Sequence, residues 1–188
     1  MRELKLQMQI SIDGFVSGPN GEMDWVTWDW DEALNHYVTD LTGPVDTIIL
    51  GRKLAEGFIP YWTSELEKGA AGEDGAEKMV NTDKIVFTRT LETSAWDRTE
   101  LAKGNLVDEI RNLKELEGGD IIVYGGANFV SSLIKERLID TLYLFVNPVA
   151  IGNGLPIFRD LESNQNMTLS ESRVFPCGIV VLCYQPKD

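Results

Sequence analysis

The sequence predicts an α/β protein with a mostly parallel central sheet, helices on both faces and an antiparallel hairpin at its C-terminal end. Three observations carry this. Strand-like apolar runs alternate with stretches of helical spacing along 188 residues, which is the pattern of parallel strands joined by helical crossovers. Asp120–Leu133, DIIVYGGANFVSSL, is a short apolar strand that runs through two adjacent glycines directly into an amphipathic helix. Met167–Phe175 and Ile179–Gln185 are strand-like runs joined by Pro176-Cys177-Gly178, the spacing of a hairpin. With no repeat or linker in between, residues 1–188 read as one domain with a core of its own.

Leu4, Leu6, Met8, Ile10 and Ile12 alternate with Lys5, Gln7, Gln9 and Ser11, which predicts a first strand with one buried face ending at Asp13-Gly14. A loop follows through SGPNGEMDW, whose Gly-Pro and Asn-Gly pairs mark turns. Asp31–Leu41 reads as a helix with Leu34, Tyr37, Val38 and Leu41 on one side, closed by Gly43-Pro44. Asp46–Leu50 is a second strand, Lys53–Phe58 a short helix, and Gly69–Gly75 a surface turn or loop. Lys84–Thr88 is a third strand, Asn105–Leu116 a helix, and the helix after Gly126 runs to about Leu138. Thr141–Val146 is a further strand before the glycine-rich connection through Ile151–Pro156.

Seventeen basic against thirty acidic residues give a net charge of −13, which argues against general affinity for nucleic acid or anionic membrane. No apolar run approaches the roughly 18 residues a membrane span needs, and MRELKLQMQI lacks the apolar block of a signal peptide. The expectation is a cytoplasmic protein. Cys177 and Cys183 fall on what reads as one strand; six strand residues cover about 20 Å, too far for a disulfide, so both read as core thiols. No Cys/His cluster suggests a metal, and His36, the only histidine, lies in a polar helical stretch that suits a solvated surface residue.

Three predicted strands end in chemistry suited to phosphate: Gly51-Arg52-Lys53, Thr88-Arg89-Thr90 and Gly125-Gly126. Open α/β sheets bind ligands outside the carboxyl ends of their strands. Arginine offers forked donors to phosphate, and threonine adds hydroxyls. Glycine lets a ligand approach the backbone, and the helix after it presents free N–H groups and a positive dipole end. Arginine rather than an acid at early strand ends favours a 2′-phosphate, hence NADPH. Surface ion pairs for the arginines and a ligand-free tight turn for the glycines remain open. Neither GxGxxG nor GxxxxGK[ST] occurs.

In this order, Gly51-Arg52, Thr88-Arg89 and Val123-Tyr124-Gly125-Gly126 resemble the dihydrofolate reductase-like superfamily. SIDGFVSGPNGEMDW (Ser11–Trp25) and PVAIGNGLPIF (Pro148–Phe158) are similar to its branch containing the C-terminal reductase domain of the riboflavin biosynthesis protein RibD, in small stand-alone form. The resemblance implies that Gly125, Gly126, Ala127, Asn128 and Phe129 line the pyrophosphate of NADPH, with a cis peptide between the glycines. It implies that Gly51, Arg52 and Lys53 hold phosphate, that Thr88 and Arg89 meet the 2′-phosphate, and that Phe15, Val16 and Ser17 touch the nicotinamide from a mobile loop. Two departures stand out. Leu54 occupies the position where dihydrofolate reductases usually carry threonine, and Asp24, Asp29, Asp31 and Glu32 compete for the role of their single pterin-binding acid.

EMDWVTWDWDE, Glu22–Glu32, interleaves three of the five tryptophans with acids. A flat heterocycle can stack on an indole while a carboxylate accepts from its ring N–H; partly buried anchors at a helix start are the alternative for Trp28 and Trp30. Asp13, Trp25, Tyr61 and Trp62 are the candidate substrate contacts, and Asp24, Asp29 and Asp31 the candidate catalytic acids. The expected activity is NADPH-dependent reduction of a small heterocycle, with 5-amino-6-(5-phosphoribosylamino)uracil implied by the RibD branch. A dihydrofolate or pteridine reductase and a non-catalytic nucleotide-binding protein are the alternatives. The C-terminal edge strands and the frequency of homodimers among soluble proteins make a homodimer the expected assembly.

Overall fold

A computed structural model describes residues 1–69 and 73–187. Eight strands form one sheet: β1 (Leu4–Ser11), β2 (Val45–Gly51), β3 (Asp83–Phe87), β4 (Thr99–Ala102), β5 (Asp120–Val123), β6 (Thr141–Asn147), β7 (Met167–Val174) and β8 (Val180–Pro186). Five helices accompany them: α1 (Glu32–Thr42), α2 (Arg52–Glu67), α3 (Glu73–Asn81), α4 (Leu106–Glu115) and α5 (Ala127–Lys135). The strand order is β4-β3-β2-β5-β1-β6-β8-β7. All pairs from β4 to β6 are parallel, and β8 and β7 add the antiparallel hairpin.

The expected single buried face of β1 is corrected by its place at the sheet's centre. All eight of its residues are buried. Leu4, Leu6, Met8 and Ile10 join the main core with Val130, Leu133 and Ile134 of α5 and Ile110 and Leu113 of α4. The opposite sheet face carries two separate clusters. One packs α2 on β2, β3 and β5 through Ala55, Ile59, Ile48 and Leu50. The other packs α1 on β6 and β8 through Leu34, Tyr37, Leu41, Phe145 and Val181. Between them β1 presents the buried polar row Lys5, Gln7 and Gln9.

The short helix expected over Lys53–Phe58 extends to Glu67, through Pro60. Proline removes one bond, to the Glu56 carbonyl, and both residues are exposed, where solvent can satisfy that acceptor. The loop expected over Gly69–Gly75 is α3 from Glu73 onward, and 70–72 lie outside the described residues. β4 escaped the sequence pattern because Thr99–Ala102 is four residues long at the sheet edge. Cys183 lies on β8, while Cys177 sits in the preceding turn; both are free thiols. His36 is exposed beside Asp40. No helix among the described residues is long and apolar enough to cross a membrane.

Candidate functional site

The strand order places the ends of β3, β2, β5 and β1 side by side, so the three phosphate-suited motifs, scattered in sequence, meet along one edge. At about 4.8 Å per strand, that edge runs roughly 14 Å from Arg89 to the end of β1, the reach of an extended dinucleotide. Two helices open on it. Gly51 is the N-cap of α2 and Gly126 that of α5, and neither helix has a side-chain cap. The first-turn N–H groups of both helices therefore face outward without a protein partner of their own helix.

The two helix starts are fastened together. The Gly51 N–H donates to the Gly125 carbonyl at 3.1 Å, and the Gly125–Gly126 peptide is cis, as the resemblance implied. Gly125 has φ +141, and a Cβ there would lie 3.2 Å from Leu54 Cδ2. A Cβ on Gly51 would stand 2.9 Å from Phe129 Cβ. Glycine is required here by closeness as well as conformation. Leu54 thus forms an apolar support beneath the turn, where a threonine would have offered a hydroxyl.

Arg52 donates to Glu56 at 2.6 Å one helical turn on, so an anion must compete for its guanidinium. Lys53 is exposed. Arg89 is exposed just past β3, and among the described residues it forms no ion pair. The Thr88 side chain is buried and its hydroxyl accepts from the N–H groups of Thr90 and Leu91, both at 3.1 Å. It shapes the turn that carries Arg89. Two further cations belong to this edge. Lys103 follows β4 and reaches back to the Glu92 carbonyl, and Arg159 donates to Asn128 in the first turn of α5 at 2.5 Å. Arg159 stands beside no glycine, and Lys103, though followed by Gly104, comes after a strand too short for the sequence pattern to mark.

At the end of β1 the two segments quoted for the resemblance dock on each other. Val16 N–H donates to Leu155, and Leu155 N–H to the Ser17 carbonyl. Val16 and Ser17 are buried and Phe15 is half-buried, so Phe15 is the one of the three with surface to offer a ring. Asp13 accepts from Ser11 Oγ at 2.6 Å and from the N–H groups of Ile151 and Gly152 at 3.1 and 2.6 Å; these bonds hold its carboxyl below the usual range, the Ser11 hydroxyl foremost. Its oxygens staple loop to loop rather than standing free for substrate.

Asp31 caps α1 through the Leu34 N–H at 2.9 Å and accepts from the Cys177 N–H at 2.9 Å. The Cys177 bond is the largest cause of its lowered pKa. Asp31 is thereby committed to joining α1 to the hairpin turn. Asp24 and Asp29 are exposed in the loop before α1. Trp25 is half-buried and donates to the Glu22 carbonyl, Trp30 packs parallel to Phe145 with ring centroids 6.2 Å apart, and Trp28 is exposed. Tyr61 is exposed and Trp62 turns beneath α2 toward Phe58.

The floor between α1 and α2 is the polar row of β1. Gln9 Oε1 accepts from Asn147 Nδ2 at 2.8 Å, and Asn147 Oδ1 accepts from the Thr27 N–H at 2.9 Å. Gln7 Oε1 is buried with no hydrogen-bond partner among the described residues. An unpartnered buried acceptor is uncommon in native proteins and calls for a donor from outside the chain, such as a water or a ligand; Ser131 Oγ and Gln165 Oε1 share the condition elsewhere in the fold. The alternation of β1 contained Gln7, but read as a solvated face.

Fold and strand-end edge together define a dihydrofolate reductase-like α/β protein. The chain belongs to the RibD C-terminal domain family, whose model matches residues 2–181. Over 186 residues it is 32% identical to the uncharacterized protein YyaP of Bacillus subtilis, covering 97% of this chain and 94% of that one. A deaminase/5-amino-6-(5-phosphoribosylamino)uracil reductase of Thermotoga maritima superposes with a TM-score of 0.71 at 20% identity, over 99% of this chain and 57% of its own. The dihydrofolate reductase of Enterococcus faecalis complexed with NADP(H) superposes with a TM-score of 0.63 at 17% identity, over 99% of this chain and 97% of its own.

Proposed function

We propose that the protein is an NADPH-dependent reductase of a small planar heterocycle, with 5-amino-6-(5-phosphoribosylamino)uracil as the first substrate to test. The observation that carries this reading is the pairing of two uncapped helix N-termini at Gly51 and Gly126 on adjacent strands. Together they offer two sets of backbone donors to a pyrophosphate. Arg89 supplies the cation for the 2′-phosphate at one end of the edge, and Phe15 the apolar contact for the nicotinamide at the other. A nicotinamide bound there would supply the hydride.

The chain's own residues would bind and orient the acceptor. Gln7 Oε1 accepts a ring N–H or amino group from the floor of the cleft, while Gln9 and Asn147 fix the neighbouring polar surface. Asp31 is withdrawn from proton transfer by its two backbone donors, so the proton comes from water or from Asp24 or Asp29, exposed in the loop before α1. We place the protein in the cytoplasm as a homodimer.

Titration with NADPH and NADH, followed by tryptophan quenching and reduced-nicotinamide emission, tests the site before any substrate is known. Saturable binding that favours NADPH is expected. Arg89→Ala should weaken NADPH about tenfold or more, from the loss of a charge-assisted hydrogen bond, and leave NADH nearly unchanged. Equal weakening of both removes the Arg89 assignment. No binding of either at about 1 mM by folded protein overturns the reductase reading, and binding without oxidation of NADPH by aminopyrimidines or pteridines leaves a nucleotide-binding protein.

A further inference from the structure

A cavity of about 370 Å³ lies beneath α2, between that helix, α3 and the chain around Trp96. It is distinct from the strand-end edge. Trp62 is ten residues beyond Arg52, about 15 Å along the helix. Lys84, near the start of β3, is about 13 Å of strand from Thr88. The volume is within the range of small-molecule sites.

Its walls combine flat apolar surface with one buried charge. Phe58, Trp62 and Trp96 supply aromatic faces and Met79 a flexible apolar side. Lys84 forms part of the wall while only 3% exposed. Its ammonium donates to the Val80 and Thr82 carbonyls at 2.8 and 2.7 Å, at the C-terminal end of α3. An ammonium carries three donors, so one is left. Among the described residues no carboxylate lies within 4.0 Å of it; Glu67 and Asp97 line the cavity from exposed positions. Burial, with the nearby Arg98 charge second and the Asp83 carboxylate opposing both, pulls its pKa down to about 8, as expected where desolvation outweighs a distant opposite charge.

We propose that this cavity is a second ligand site, for a small aromatic carboxylate whose anionic group takes the remaining Lys84 N–H and whose ring lies against Trp62 and Trp96. A carboxylate would give the Lys84 ammonium the close counter-charge it lacks, since Asp83 acts on it only from beyond ion-pair distance, and a flat ring suits the aromatic walls. The exposed acids at the rim repel an anion in proportion to its charge, so a monocarboxylate is disfavoured less than a phosphate there, which separates this site from the strand-end edge. The inference stands independently of the reductase reading.

Fluorine NMR with para-trifluoromethylbenzoate and its neutral amide tests it on the whole protein. The carboxylate should bind about tenfold or more tightly than the amide, and saturating NADPH should not displace it. Lys84→Met should erase the preference while keeping the amide's affinity. Because Lys84 also holds the end of α3, Thr63→Trp serves as a second variant: Thr63 lines the cavity from α2, so the larger side chain fills it and should abolish both affinities. Equal binding of acid and amide by wild type, displacement by NADPH, undiminished binding to Thr63→Trp, or no binding at about 1 mM would each overturn the proposal.

Discussion

Gly51→Ala probes the junction on which the dinucleotide reading depends. Gly51 has φ −74 and ψ 145, angles any residue adopts, so alanine costs nothing in backbone conformation and its effect comes from contact alone. The new Cβ would lie 2.9 Å from Phe129 Cβ and 3.3 Å from Phe129 Cγ. Rotating Phe129 moves its ring but not its Cβ, which is fixed to α5. The starts of α2 and α5 must therefore part by about 0.5 Å, and overpacking of this kind costs about 1–3 kcal/mol. The same displacement spreads the two sets of N–H donors, so NADPH affinity should fall about tenfold. Gly57→Ala is the control on the same helix. It has open space around it, and should stabilise the protein by about 0.5–1 kcal/mol through helix propensity without changing affinity. Urea unfolding and nucleotide titration of both variants provide the readouts. Unchanged stability in Gly51→Ala refutes the contact, and lost stability with full NADPH affinity refutes the role given to the paired helix starts.

Asn147→Leu should cost about 2–3 kcal/mol in urea unfolding, because it leaves the Thr27 N–H and the Gln9 amide without partners in a fully buried position; a loss below about 0.5 kcal/mol would show that water replaces the amide. The Asp31 carboxyl is held below its ordinary value of 3.8 by the Cys177 and Leu34 N–H groups. Its contribution to stability is complete above that value and is lost as pH falls through the depressed one. Asp31→Asn should accordingly be less stable than wild type at neutral pH and converge with it in acid; parallel curves of unfolding midpoint against pH would refute this linkage.

Local features of this fold were legible in the sequence, and features set by strand order were not. Gly51-Arg52, Thr88-Arg89 and Gly125-Gly126 each announce a strand end by their own residues, and all three lie where strands end. Their adjacency depends on β2 pairing with both β3 and β5, which no stretch of sequence records. The same ignorance of neighbours misread β1: Lys5, Gln7 and Gln9 alternate as a solvated face would, but a central strand has none. Pro60 is a local signal that tertiary packing overrides, since Ile59 on one side and Phe58 and Trp62 on the other anchor α2 to the sheet. Arg159 reaches Asn128 across 31 residues, a contact with no periodicity to betray it.

The net charge of −13 constrains how any phosphate site on this protein works. At long range the molecule repels a dinucleotide, so attraction must come from groups within a few ångströms of the phosphates, where screening by salt has least effect. The two glycine-capped helix starts are such groups: fixed N–H donors that require no side-chain ordering and cannot be neutralised by a neighbouring acid. Arg52 is different, since Glu56 already shares its charge, and Leu54 contributes no donor. The proposed function therefore leaves the backbone to hold the pyrophosphate. In the proposed function, discrimination for a 2′-phosphate falls to Arg89, exposed at the end of β3 on the turn that Thr88 shapes. On that proposal, holding the dinucleotide and choosing between its two forms are tasks of different strands, so a substitution at Arg89 should alter the preference while one at Gly51 should weaken both forms alike.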